Sequence, residues 1–297
     1  LAATPKLSIV VVNYNTRDLL RACLRSVLSS REPPVFELFV VDNASCDGSA
    51  AMVAAEFPQV QMIECNVNGG YAHANNLALR RCKGDYLLLL NPDTVLPPRA
   101  LKEMVDFMEA HPEAGIAGPK LVRENGSLDL ACRRSFPSPE VSFYRMLGLS
   151  KLFPRSRRFG RYNLTYLDPD QPAEVDSVVG AFMMVRSEAA QQVGFLDDSF
   201  FMYGEDLDWA YRIKAKGWRV LYNPAVVVLH HKGASSRRHP RKAILEFYRA
   251  MHLFYKKHYA AGTNRLLGAL IVAAIWTKCA YSLAVNYLRP QEARRVS

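Results

Sequence analysis

The chain has 297 residues, 49% of them hydrophobic, which is ample for the core of one large domain or two smaller ones. Its formal charge of +10 points to anionic partners: nucleotide phosphates, anionic lipid or nucleic acid. Six cysteines (Cys23, Cys46, Cys65, Cys82, Cys132, Cys279) lack any C-x-x-C spacing, which argues against zinc or a disulfide framework and for reduced, mostly buried thiols in a cytoplasmic protein.

Strand and helix alternate from the start, and no signal-peptide pattern precedes the first strand-like run, Leu7–Val12. It ends on Asn13, Tyr14 and Asn15; Tyr14 suits a nucleoside base, and the asparagines suit a binding loop or a plain turn. A helix is expected over Asp18–Ser29, with Leu19, Leu20, Cys23, Leu24, Val27 and Leu28 at helical spacing. Phe36–Val41 reads as the second strand, and Asp42 at its end can accept hydrogen bonds from a base or ribose. Ser45 or Asp47 is placed to cap a helix running through Phe57, and Val60–Glu64 is the third strand. The loop carrying Asn68, Gly69 and Gly70 precedes a helix over Ala72–Cys82, a suitable place for phosphate or sugar hydroxyls. Four leucines, Leu87 to Leu90, read as a strand buried on both faces, with Asn91, Pro92 and Asp93 at its carboxyl end. Asp93 there either caps a turn or holds a divalent cation against a diphosphate. A helix follows over Pro98–Ala110.

Beyond Gly115 the pattern changes. Glu124-Asn125-Gly126-Ser127 marks a hairpin, and the basic region from Arg133 to Pro172 reads as a loop or short helices. Val175–Arg186 is expected as one long buried strand, with Ser187 capping the next helix. Glu205, Asp206 and Asp208 open a helix over Asp206–Lys216; they either complement its dipole or supply a general base, with Asp208 paired to Arg212. Strands over Arg219–Tyr222 and Ala225–Leu229 lead to His230, which could complete a cation site with Asp93, and Gly233 and Ser235 shape the next loop. Two basic clusters, Arg145 to Arg161 and Lys232 to Lys242, are solvated faces or steering surfaces. Near the C-terminus Leu266–Thr277 is strongly apolar, but Lys278 interrupts it short of a spanning helix. Flanking Arg265 and Arg289, with Trp276, Tyr281 and Tyr287, suit a helix docked on a membrane surface, or else a packing helix or homo-oligomer contact.

In this order the motifs Val-Val-Asn-Tyr-Asn, Val-Val-Asp-Asn-Ala-Ser, Asn-x-Gly-Gly-Tyr, Asn-Pro-Asp, Gly-Ala-Phe-Met-Met-Val-Arg, Gly-Glu-Asp-x-Asp and His-x-x-Gly-x-Ser resemble a family 2-type glycosyltransferase. The resemblance runs over about residues 7–236 and is strongest to the rhamnosyltransferase-like branch. It implies a GT-A fold: α/β, with a Rossmann-like, mixed but mostly parallel sheet flanked by helices. Residues 1–240 would form that domain, and 241–297 a helical C-terminal extension. The implied reaction is inverting transfer of rhamnose from dTDP-rhamnose, or of a sugar from a UDP-sugar, to a glycan or polyprenyl-diphosphate-linked glycan. Such an enzyme would work on the inner face of the cell membrane in cell-surface polysaccharide synthesis. By the same resemblance Asp42 binds the nucleoside with Asn13, Tyr14 and Asn15 lining its pocket, while Asn68, Gly70 and Asn91 contact the donor. Gly180 and Ala181 border the sugar, Asp93 and His230 ligate Mg2+ or Mn2+, Asp206 is the base, and Glu205 orients the acceptor or the base. Many relatives have Asp-x-Asp where this chain has Asn91-Pro92-Asp93, which leaves one charge fewer for the cation. A sugar nucleotidyltransferase would show a Gly-rich basic signature after the first strand, which is absent here. A non-catalytic binding module leaves the acids without a joint role. Nucleic acid is not expected as a partner, because cleft carboxylates would repel it.

Overall fold

The computed structural model describes residues 4–231 and 240–288. Lys232, Gly233, Ser235, Arg237, Arg238 and Arg289, which enter the reading above, lie outside the described residues.

Among the described residues nine strands form one sheet: β1 Leu7–Asn13, β2 Phe36–Asp42, β3 Gln61–Glu64, β4 Tyr86–Leu90, β5 Thr94–Val95, β6 Ala114–Val122, β7 Ala173–Val175, β8 Phe182–Arg186 and β9 Arg219–His230. Their order is β3-β2-β1-β4-β8-β6-β9-β5, with β7 also on β9. β3, β2, β1 and β4 are parallel, β6 and β9 run the same way, and β8, β5 and β7 run against them. Helices joining parallel strands cover the sheet; Leu20, Cys23, Leu24 and Val27 of Arg17–Leu28 lie on its buried face, while Leu19 and Leu28 at the edges of the stripe are half-buried. The leucine strand β4 sits near the middle and is buried along its whole length.

Register decides what the sheet can do. Asn13 pairs with Asp42, and Asp42 with Glu64, so polar residues line up along the carboxyl edge of the parallel strands. Two reversed strands then deliver distant residues to that edge. The antiparallel β8 sets Phe182 opposite Leu90, carrying Gly180 and Ala181 to Asn91. In the same way β5 sets Thr94 opposite His230, next to Asp93.

Several local expectations change. Val175–Arg186 is two strands rather than one, because Asp176 and Ser177 turn their amides to the Arg134 carbonyl and Gly180 gives its N–H to Asp206. Arg219–His230 is one strand rather than two; the register with β6 jumps between Asn223 and Val227, so a bulge absorbs Pro224 without ending the strand. Ser187 caps nothing: its hydroxyl donates to the Gly84 carbonyl. The second helix, Ser49–Glu56, starts after a left-handed Gly48 without a side-chain cap at that position, while Asp47 accepts from the amides of Arg17 and Ser49. Cys46 is exposed.

After the sheet come two long helices, Pro240–His258 and Arg265–Leu288. They pack antiparallel: Gly268 lies against the Tyr255 hydroxyl, the Trp276 indole donates to His252, and Tyr248 pairs with Ser282 at 2.8 Å. Lys278 does not break the second helix, which runs 24 residues and is long and apolar enough, by length and composition, to cross a membrane. Most of it is exposed, with Leu266, Leu267, Leu270, Trp276 and Tyr281 facing outward.

Candidate active site

At one end of the carboxyl edge, side chains of three strand-end loops knit together. Asn13 donates to Asp42 Oδ1 (2.9 Å) and to the Ser45 hydroxyl (3.0 Å), and the Ser45 amide donates to Asp42 Oδ2 (2.8 Å). Asn15, in the left-handed region at φ 55°, accepts from the Cys46 amide, so both asparagines hold loops. Tyr14 between them is half-buried. Asn43 reaches across to the Asn68 side chain and the Gly70 carbonyl while accepting from the Gly69 amide. Gly70 is required by space as well as by its φ of 92°, since a Cβ there would stand 2.5 Å from the Phe201 carbonyl oxygen. These contacts bring Asn13, Asn15, Asp42, Asn68 and Gly70 into one loop cluster.

The centre is organised by Tyr71, the tyrosine of the Asn-x-Gly-Gly-Tyr motif, to which the sequence alone assigns no role of its own. Its hydroxyl lies 3.0 Å from Asn91 Oδ1 and 3.1 Å from the Gly180 carbonyl, sharing one proton between two acceptors. Burial, and then the charges of Glu205 and Asp206, push that hydroxyl far above its ordinary range, so it remains a donor. Asp93 acts on it as well. Ala181 is tied in by its carbonyl, which accepts from the Asn91 amide at 3.0 Å.

Asp206 is buried and fully engaged on one oxygen: Oδ2 accepts from Arg134 (2.7 Å) and the Gly180 amide (3.0 Å), while Oδ1 accepts from the Leu207 amide (2.7 Å). Burial works against the charge on Arg134, but the Asp206 carboxylate outweighs it and raises the guanidinium above its ordinary value. Glu205 beside it is buried too, and its Oε2 has no hydrogen-bond partner among the described residues. Burial first, and the neighbouring Asp206 charge second, raise the Glu205 carboxyl to about 8. Two adjacent acids thus divide their roles, an ion-paired carboxylate and a neutral acid. Asp208 turns away to pair with Arg212, and reaches this edge only through its charge, which adds to the rise at Glu205.

A measurable consequence follows from Glu205. Folded protein holds a proton on it between roughly pH 4.5 and 8 that the unfolded chain has released, so this group's favourable contribution is full below the lower value and is lost as pH rises through the upper one. Glu205→Gln is expected to flatten the decline of unfolding free energy between about pH 5 and 9. Equal slopes in the two proteins would remove the assignment.

Asp93 and His230 meet at the far side. His230 Nε2 stands 3.3 Å from Asp93 Oδ1, and Nδ1 is bonded to the fully buried Asp129 at 2.9 Å. Burial would lower the imidazole, but Asp129 and Asp93 outweigh it and raise it to about 9. Asp93 Oδ1 itself is buried without a well-directed hydrogen bond. An orphaned carboxylate oxygen facing an imidazole whose other nitrogen is fixed by a carboxylate fits a divalent cation, which would take the place of the proton held there. Among the described residues no third protein ligand joins them, so the remaining positions would fall to phosphate oxygens and water. A cavity of about 570 Å³ between the two C-terminal helices shares no residue with this edge.

All the candidate residues therefore lie along one edge, at the place where open α/β sheets bind ligands. Arg134, Asp129, Tyr71 and Asn43 complete it and were missed. Arg134 lay hidden in a basic run, and a single Asp after a hairpin carries no periodic signal.

Comparison with known proteins agrees with this architecture. Over 262 residues the chain is 28% identical to N-acetylglucosaminyl-diphospho-decaprenol L-rhamnosyltransferase of Mycobacterium tuberculosis, covering 84% of each protein. It is 27% identical over 246 residues to rhamnosyltransferase WbbL of Escherichia coli, covering 79% of this chain and 87% of that one. Among solved structures, a mannosyltransferase from Pyrobaculum calidifontis in complex with GDP-Man and Mn2+ superposes with a TM-score of 0.58 at 19% identity, over 98% of this chain and 74% of that one, and shares the fold. Residues 8–194, which span the sheet from β1 through β8, match the profile of glycosyl transferase family 2, and the chain is a glycosyltransferase that belongs to that family.

Proposed function

We propose that the protein transfers rhamnose, with inversion, from dTDP-rhamnose to a hydroxyl of a polyprenyl-diphosphate-linked glycan. The observation that carries this reading is the unbroken run of contacts from Asn91 through Tyr71 and Gly180 to Asp206, with Asp93 in electrostatic reach of the same Tyr71 hydroxyl. It joins a cation-suited corner to a proton-accepting corner through one chain of hydrogen bonds. Two rhamnosyltransferases among the relatives, one of them named for a decaprenyl-diphosphate-linked sugar, support the choice of donor and acceptor.

In this scheme Asp42 and the Asn13–Asn15 loop hold the nucleoside, with Asn68 and Gly70 alongside. Asp93 and His230 would hold Mg2+ or Mn2+, which when bound neutralises the departing diphosphate. Asp206 takes the proton of the acceptor hydroxyl through the lone pair left on Oδ1, and the neutral Glu205 donates a hydrogen bond that orients the acceptor. The acceptor oxygen bonds to the anomeric carbon as its bond to the diphosphate oxygen breaks, releasing the nucleoside diphosphate. Arg134 pairs with Asp206 Oδ2 and holds it in place, next to the Gly180 amide. The exposed apolar helix Arg265–Leu288 docks on the membrane in which such an acceptor resides.

Thermal-shift titration tests donor and cation together. dTDP-rhamnose at about a hundredfold over its Kd, with Mn2+, is expected to raise Tm on the order of 5 °C, and Asp93→Ala to lose the cation-dependent part. A response to UDP-sugars alone would overturn the donor. A shift independent of cation and unchanged by Asp93→Ala would overturn the metal corner.

A further inference from the structure

Residues 139–162, within the stretch between the β6 hairpin and β7, have no role in the scheme above, yet they carry a cluster of exposed large apolar side chains. This segment forms two short helices, Pro139–Met146 and Leu149–Leu152, followed by turns. Within it Phe143, Leu147, Leu152 and Phe153 are 56%, 59%, 70% and 48% exposed. Phe143 and Leu147 stand four residues apart, on one face of the first helix. This exposure is not the result of a loose fold. The segment has its own aromatic cluster, with Tyr144 edge-on to Phe159 at 5.0 Å and one side of the half-exposed Phe153 against Phe159 at 5.6 Å, and Thr165 bonded to the Pro154 carbonyl.

Charge is equally one-sided. From residue 139 to 162 there are six cations and a single acid, Glu140. Arg158 is committed to Glu140 and Tyr144, and Arg145 lies over the Tyr162 ring. Lys151, Arg155 and Arg157 are exposed and have no acidic partner among the described residues. Large apolar side chains interleaved with unpaired cations match the boundary of an anionic bilayer, which offers phosphates and acyl chains a few ångströms apart.

The segment is also in the right place. Its root carries Arg134, the partner of Asp206, and Phe136, which packs on Tyr211 and Phe254. Arg145 acts electrostatically on Tyr248, which holds Ser282 of the C-terminal helix, and Arg161 acts on Tyr259. The segment is therefore rooted at Asp206 and reaches the helix Pro240–His258, on which the exposed helix Arg265–Leu288 packs.

We propose that residues 139–158 form a second membrane-contact element, with Phe143, Leu147, Leu152 and Phe153 entering the headgroup–acyl boundary while Lys151, Arg155 and Arg157 meet lipid phosphates. The inference rests on the reading that the acceptor resides in a membrane, and adds a contact independent of the C-terminal helix. Co-sedimentation of the full chain with phosphatidylglycerol and phosphatidylcholine vesicles tests it. Phe143→Ser with Leu152→Ser is expected to weaken partition into phosphatidylglycerol by about tenfold or more, and Arg155→Glu with Arg157→Glu by about tenfold in a salt-sensitive manner. A parallel Leu267→Ser, Leu270→Ser variant reports on the C-terminal helix, and the nucleotide-sugar thermal shift of each protein verifies folding. Loss confined to the Leu267, Leu270 variant would overturn this inference and leave C-terminal docking standing. Failure of the native chain to bind either vesicle would overturn both.

Discussion

Replacing Asp206 by Asn is expected to reduce turnover by about a thousandfold while nucleotide-sugar binding stays within about twofold, because a positioned general base contributes roughly 10²–10⁴ in rate. The substitution keeps the shape of the side chain and removes its proton affinity. It also unbalances Arg134, whose guanidinium would remain buried against an amide, so a loss of stability is expected alongside the loss of rate. Donor titration separates the two effects, since a protein that binds donor normally is folded at its edge. The decisive comparison is with Glu205→Gln. If Asp206→Asn retains turnover and Glu205→Gln abolishes it, the proton goes to Glu205 and the roles given above are reversed. If both variants retain turnover, the acids at this helix are structural and the base lies elsewhere.

The largest stability effect is expected at Asp208, outside the chemistry. Its carboxylate is completely buried, and it holds Arg212 at 2.8 Å, Lys257 at 2.8 Å and His258 at 2.7 Å. Burial would raise this carboxyl, but hydrogen bonds from His258 and Lys257 and the charge of Arg212 outweigh it and hold it below the usual range. Asp208→Ala strands three cationic or polar partners around a hole. The expected cost is about 3–5 kcal/mol, or on the order of 10 °C in Tm. The sign with pH is fixed by the direction of the shift: the contribution is present above the ordinary carboxylate value and disappears as pH falls through the lowered one. Urea denaturation at neutral pH, where native and variant should differ by that amount, checks it; a difference under about 1 kcal/mol would show that the network contributes no net stability.

Reading the chain in one dimension recovered what is local. Strand ends announce themselves through the change from Val-Val or Leu-Leu to Asn or Asp, and all the candidate residues at those ends came to the same edge. What it could not recover is carried by contacts across long separations. Arg134 meets Asp206 across 72 positions, Asp129 meets His230 across 101, and Tyr71 reaches Gly180 across 109. Hydrophobic period reports which face of an element is buried, and nothing in it reports which distant element lies opposite. The same limit explains the strand errors. Val175–Arg186 is apolar enough for one strand, and it is divided by an interaction with Arg134, far earlier in the chain. At Asn223-Pro224 the local signal for a break was correct for the backbone, but pairing with β6 carries the strand past it.

The buried tie between Asp208 and the pair Lys257–His258 bears on how the enzyme is made. A nascent chain that has emerged only through the end of the sheet already carries Glu205 and Asp206, but the helix bearing them still has a buried carboxylate short of two of its three partners. That helix is secured only when some fifty further residues have left the ribosome and folded back, a separation of 50 positions between Asp208 and His258. The helix that bears Glu205 and Asp206 is therefore secured only after the chain has passed the end of the sheet and folded back on it, so this part of the edge is completed by residues the family match does not include.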